Sequence, residues 1–349
     1  MFRNARAIVA CAGATAALAG AAHAQSMDPF YADRYTFVDL GTVPGVPPLY
    51  GGLTLRHNDP NVLLIGGNAN DTPGALYAIG VTRDAENHIT GFVGEATRFC
   101  DAAFNDGGVL FGPNNVLFLA RWPENELGQT RPGSTTTDSI IDLKPFGVEN
   151  SVSAMQFVPP GYKGAGAFKF VTWEGGQWWN VIITPVAGGT FGIVSMTEVP
   201  DSRLPGGPEG FVYVPPGSPS FEGEAMLVSE FSSGNVVAYD VDANGDPIVS
   251  TRRLFVVGLE GAEGAFIDPL TGDFLFSTFG GGDRVVAVRG LNRPCRPDYN
   301  GDSRLNSQDF FDLLADFFSD DFTADYNADN LLNSQDIFDF LTDYFNGCP

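Results

Sequence analysis

Two stretches near the C-terminus set oxygen-bearing side chains at the spacing a calcium ion requires. In the first, Asp298, Asn300 and Asp302 stand at positions 1, 3 and 5 of a loop, Arg304 offers its carbonyl at position 7, Asn306 stands at position 9 and Asp309 closes the loop at position 12. The second repeats the set as Asp325, Asn327, Asp329, the Leu331 carbonyl, Asn333 and Asp336. A calcium loop of about 12 residues draws its roughly 6–8 oxygens from those positions. The whole run Asp298–Phe318 returns 27 residues later as Asp325–Phe345, with 14 of 21 positions identical. One such run could be an acidic turn; two complete sets in tandem argue for two calcium ions.

Each loop runs into a segment of helical periodicity. Phe310, Leu313, Leu314, Phe317 and Phe318 form one apolar stripe, and Phe338, Leu341, Tyr344 and Phe345 another. An amphipathic helix must bury such a stripe, so the two halves are expected to pack on each other. Ser307-Gln308 and Ser334-Gln335 follow position 9 identically in both halves. The serines also suit helix N-caps.

These residues resemble a dockerin domain, in which tandem Asp-x-Asn-x-Asp loops each lead into a helix. Asn306-Ser-Gln-Asp-Phe-Phe-Asp312, Cys295 before the first loop and Gly347-Cys348 after the second are similar to the GC-type dockerin-anchored bacterial proteins. The resemblance covers roughly the last 55 residues. It implies docking to a cohesin-like or cell-surface protein, with Ser307, Gln308, Ser334 and Gln335 read by the partner. Because the two halves carry the same pair, two docking orientations would be open. The chain departs from the usual pattern at position 6, where Ser303 and Asn330 replace glycine. Asn tolerates a left-handed backbone better than Ser, which makes the first loop the weaker expected site.

The N-terminus fits that compartment. Arg3 and Arg6 precede an alanine-rich apolar run, and Ala22-His-Ala24 is a small-x-small cleavage site. Residues 1–24 are therefore expected to be a signal peptide and the protein to be secreted or held at the cell surface. No later run reaches the roughly 18 apolar residues of a membrane helix. Cys295 and Cys348 bracket the tail, and an oxidising compartment favours their pairing. In the chain-entropy model a bridge closing that loop would stabilise by roughly 4 kcal/mol. Cys100 is left over and reads as a buried thiol. The net charge of −23 argues against nucleic acid and anionic membranes as partners. From Arg296 onward 12 Asp face two Arg, so the tail repels itself until cations bind.

Residues 25–290 differ in kind. Short β-rich runs alternate with turn clusters, and helical periodicity is hard to find. A loose repeat of roughly 45–57 residues starts near Gly51, Gly108, Ala154, Gly210 and Gly264. Four antiparallel strands per repeat describe a propeller blade. The last repeat stops after three strands at Arg289, while Tyr35–Leu40 has no blade of its own. That early strand is expected to complete the last blade and hide two sheet edges. The expected fold is an all-β propeller of five or six blades, then a linker over 291–297, then a small all-α tandem calcium-loop domain over 298–349. A β-sandwich is the competing arrangement. The large domain is loosely similar to secreted bacterial propellers, the gluconolactonase-type and NHL-type groups among them.

Glu209 and Glu263 occupy equivalent positions, each followed by Gly and an innermost strand, and are candidates for a channel site. Glu174, Glu230, Asn68 and Asp283 are further candidate lining groups. The gluconolactonase resemblance implies a channel metal; the alternative is hydrogen bonding at blade junctions. Trp173, Glu174, Trp178 and Trp179 crowd into one hairpin, a candidate platform for carbohydrate. Asp240–Asp246 mimics a calcium loop but has Thr251 at position 12, and its Asn-Gly reads as a hairpin turn. Nucleophilic catalysis has little support: only His57 and His88 remain after the signal, and no serine-hydrolase, zinc-protease or phosphate-loop motif occurs. The first reading is a binding module carried by an anchoring tail, with a small-molecule or carbohydrate ligand. The second is a lactonase- or lyase-like enzyme on the same tail.

Overall fold

The computed structural model describes residues 25–291, 297–300, 305–326 and 331–347. The signal segment, Cys295, Cys348, Asp302, Arg304, Asn327 and Asp329 lie outside the described residues, and with them the expected bridge and four of the loop positions.

Five antiparallel sheets form a five-bladed β-propeller, each with its innermost strand first in the chain. After β1 (Ser26–Met27) and β2 (Thr36–Gly41), blade 1 runs through β3 (Leu53–Arg56), β4 (Asp59–Gly67), β5 (Ala75–Arg83) and β6 (Ile89–Asp101). Blade 2 comprises β7 (Asn105–Phe111), β8 (Leu117–Arg121), β9 (Glu126–Thr130) and β10 (Ser139–Asp142). Blade 3 comprises β11 (Val152–Phe157), β12 (Phe168–Thr172), β13 (Trp178–Val186) and β14 (Thr190–Glu198). Blade 4 comprises β15 (Pro208–Tyr213), β16 (Ala225–Glu230), β17 (Asn235–Asp240) and β18 (Arg253–Val257). Blade 5 has β19 (Ala262–Ile267), β20 (Phe274–Thr278) and β21 (Val285–Arg289).

Blade 5 takes its fourth strand from the N-terminus. β2 pairs antiparallel with β21, Phe37 opposite Val288 and Val38 opposite Ala287. β1 pairs with β18 and extends blade 4. The N-terminal segment therefore covers the outer edges of two neighbouring blades. Tyr31 and Tyr35, between the two strands, pack against Phe221 and Phe255. Tyr35 also donates its hydroxyl to the Pro219 carbonyl.

The core is divided among the blade junctions. Leu53, Leu63 and Ile65 meet Leu275 and Val285 between blades 1 and 5. Leu76 and Cys100 meet Val109, Leu117 and Leu119 between blades 1 and 2. Phe118 meets Phe168, Phe170 and Trp179 between blades 2 and 3. Trp178 meets Phe211, Met226 and Val228 between blades 3 and 4. Leu227 and Phe255 meet Phe274 and Val286 between blades 4 and 5. Alternate side chains of one strand serve opposite junctions, as the period-2 pleat dictates. Trp178 and Trp179 illustrate this.

Two helices follow, α1 (Ser307–Phe318) and α2 (Ser334–Asn346). They share a small core of Leu313, Tyr326 and Phe340, with Tyr299, Phe310, Ile337, Leu341 and Tyr344 against it. The expected stripes are shifted in part. Phe318, Phe338 and Phe345 are exposed, and Phe340 is the buried centre of α2. Runs of adjacent apolar residues hide the phase of a helix, and packing selects it. No helix among the described residues is long and apolar enough to cross a membrane.

Candidate metal centres

The innermost strands of blades 2 to 5 all break register near their first residues. Glu209 lies between the pairs Pro208–Glu230 and Gly210–Ser229. Ser153 lies between Val152–Thr172 and Ala154–Val171. Glu263 falls in the shift between Ala262–Thr278 and Ala265–Phe276, and Asp106 in the shift between Asn105–Arg121 and Val109–Leu119. A bulge adds an unpaired residue and re-aims its side chain. In this way Asp106, Glu209 and Glu263 come together from three blades, their ligand oxygens within 4.8 Å of one another.

Glycine permits the convergence. A Cβ on Gly107 would lie 1.9 Å from the Glu209 carbonyl oxygen, and one on Gly210 would lie 2.3 Å from that of Glu263. No side chain fits where these strand starts meet. The sequence signal was an acid followed by Gly at the start of an innermost strand. It marks Glu209 and Glu263; Asp106-Gly107 carries it too, one residue ahead of the β-rich run that opens at Gly108, and is missing from the expected set.

The three carboxyl groups are almost fully removed from solvent, at 0, 6 and 1% exposure for Asp106, Glu209 and Glu263. Burial and mutual repulsion push Glu209 well above the usual carboxylate range. The same causes act on Glu263, with Asp106 as its charged neighbour. Asp106 is pushed up to about 7, chiefly by burial, against the downward pull of its contacts with Glu263, Glu209 and Asn70. Unit charges about 4.8 Å apart repel by roughly 3–4 kcal/mol per pair at an effective dielectric of about 20. Bare, the trio cannot all be ionised at neutral pH. With its amide turned to donate, Asn70 places Nδ2 3.0 Å from Asp106 Oδ1 and 3.1 Å from the Asn105 carbonyl.

The other proposed lining groups are engaged elsewhere. Glu230 is buried and accepts from Arg252 at 2.6 and 2.9 Å and from the Tyr239 hydroxyl at 2.9 Å. Asp283 accepts from the Leu49 and Gly280 amides, and Glu174 is exposed. It is Asn70, two residues beyond Asn68, that reaches Asp106. The tryptophan hairpin is no platform: Trp178 and Trp179 are buried on opposite faces of blade 3, and half-buried Trp173 sits edge-on to Trp122. Asp240–Asp246 is a turn, since Asp246 is buried against the Lys169 ammonium at 2.5 Å and Trp178 Nε1 at 2.8 Å. His88 is tied to Asp273 at 2.7 Å. Cys100 is buried, and its thiol is pushed up to about 12 by desolvation and the neighbouring Asp101.

In the tail, the described loop residues repeat their geometry. Asn306 and Asn333, rather than the serines after them, cap the helices, accepting from the Gln308 and Gln335 amides at 2.9 and 2.8 Å. Asp309 and Asp336 complete capping boxes, each accepting from the Asn amide three residues earlier at 2.8 Å. Both aspartates are fully buried. Tyr299 donates to Asp316 at 2.8 Å and Tyr326 to Asp343 at 2.9 Å, the same bond 27 residues on. Gln308 and Gln335 each reach the aspartate four residues ahead. Asp298, Asn300, Asp325 and Leu331 stand in the loops before these helices.

No protein-family model and no curated protein matches the chain. Among solved structures it is similar to the PQQ domain of pyranose dehydrogenase from Coprinopsis cinerea, at 8% identity and a TM-score of 0.41 over 76% of this chain and 97% of that one. It is similar to an auxiliary nutrient binding protein from Bacteroides thetaiotaomicron VPI-5482, at 11% identity and a TM-score of 0.43 over 73% of this chain and 76% of that one. The PQQ-bound aldose sugar dehydrogenase from Streptomyces coelicolor aligns at 14% identity and a TM-score of 0.37, over 72% of this chain and 84% of that one. These likenesses assign no role to any residue here; the strand topology itself defines the propeller.

Proposed function

We propose that the chain is an exported anchoring protein. Its C-terminal loops take up two calcium ions, and the ordered tail docks the propeller onto a cohesin-like or cell-surface partner. The observation that carries this reading is the matched burial of Asp309 and Asp336, the closing residue of each loop, at 0% exposure. A buried carboxylate is costly unless paired or bound to a cation. Each aspartate accepts an amide N–H, and calcium would neutralise the charge that remains.

The surface supports a duplicated docking face. Ser307, Gln308, Ser334 and Gln335 are all exposed. Phe311 and Phe338 are 59 and 60% exposed, and Phe318 and Phe345 are 77 and 81% exposed. Equivalent apolar residues are thus left open to matching degrees in both halves, as expected of one partner surface offered twice. The propeller is then the carried module, presenting a face to a carbohydrate or another small molecule.

The test uses the full-length chain as bait in envelope extract, with calcium and with EGTA. Expected is a partner recovered with calcium and lost both in EGTA and with Asp309→Asn/Asp336→Asn. Equal capture in calcium and EGTA by a folded chain would sink the calcium-gated reading.

A further inference from the structure

We propose that a hard divalent cation, calcium before others, sits on the propeller axis between Asp106, Glu209 and Glu263 and pins blades 2, 4 and 5 together. This site is separate from the tail loops and does not depend on their role.

Geometry and chemistry support it. A calcium–oxygen bond is about 2.4 Å, so one ion reaches oxygens up to about 4.8 Å apart. The three carboxylates fall within that limit and bring six oxygens between them. Asp106 Oδ2, Glu209 Oε2 and Glu263 Oε1 are each buried without a hydrogen-bond partner among the described residues. No Lys, Arg or His forms an ion pair with any of the three among those residues. Buried polar oxygens are nearly always satisfied, yet each of these three acids carries one that is not, within a cluster whose ligand oxygens lie within 4.8 Å of one another. Carboxylate-only ligation selects calcium, magnesium or manganese over softer metals. Asn70, bonded to Asp106, would orient that ligand from outside.

The burial also decides the kind of site. A hydrolytic metal must present an open coordination position to substrate. The trio is sealed beneath strand starts so close that Gly107 and Gly210 admit no Cβ. The ion is therefore structural, a cross-link that ties blade 2 to blades 4 and 5.

The experiment compares metal content of the full-length chain with that of Glu209→Gln/Glu263→Gln by elemental mass spectrometry, both purified in calcium. Expected is one fewer calcium per chain in the variant, whatever the tail retains. Equal content in a variant that keeps its β circular dichroism would overturn the proposal and leave the trio holding protons. Crystals of the unaltered chain grown with manganese provide a second measurement that does not depend on the variant folding. An anomalous peak between the three carboxylates supports the pin. Its absence there, including a map with peaks only in the tail, overturns it.

Discussion

Lys169 and Asp246 are both almost fully buried, and their ion pair joins blade 3 to the turn after β17 in blade 4. Asp246 also accepts from the Trp178 indole, and Lys169 donates to Asn180. Removing the ammonium alone strands a buried carboxylate, which typically costs about 3–5 kcal/mol. Lys169→Met is therefore expected to destabilise the chain by about that amount in chemical denaturation. Lys169→Met/Asp246→Asn removes the orphaned charge while keeping an acceptor for Trp178, and should recover most of the loss. Equal destabilisation by the single and double variants would show that packing, not charge, sets the cost. None of this was legible from residue 246 alone. Asp240-Val-Asp-Ala-Asn-Gly-Asp246 spells a turn, while its partner lies 77 residues away on another blade.

At the scale of elements, the propeller is closed by the N-terminal segment. β2 supplies the outer strand of blade 5 and β1 extends blade 4. Tyr31 holds both in place, with 0% exposure and rings of Tyr35, Phe221 and Phe255 around it. Truncating a buried aromatic to alanine typically costs about 3–5 kcal/mol. Tyr31→Ala should lower stability by that amount and speed hydrogen exchange first in β2 and β21. Uniform exchange across all five blades would contradict a local latch. The closure was legible because β-rich Tyr35–Leu40 had no blade and the last blade lacked a strand. The helix faces were not: Phe338 and Phe340 are both plausible core residues by type, and only packing against Leu313 and Tyr326 selects Phe340.

Over the whole molecule, charge is unevenly divided. The segment from Arg296 carries 12 Asp and two Arg, and two calcium ions would offset about +4 of that excess. Removing calcium is expected to expand the tail while the propeller, with its cores between blades, keeps its shape. In small-angle scattering, EGTA should raise the radius of gyration without changing the β circular dichroism, and calcium should restore it. An identical profile in both conditions would count against calcium-ordered compaction of the tail.

What the sequence determined by itself is local or periodic. The loop spacing, the duplicated helices, the five repeats and the unpaired early strand each follow from residue types at fixed offsets. What only the tertiary structure decided depends on distance in space between residues far apart in the chain. Asp106, Glu209 and Glu263 become one site because bulges in three blades aim them at a common axis. Glu230, equally acidic and also on a blade, is instead consumed by Arg252 and Tyr239. Sequence spacing specifies a ligand set when one loop supplies it. When separate strands supply it, ring closure and register decide.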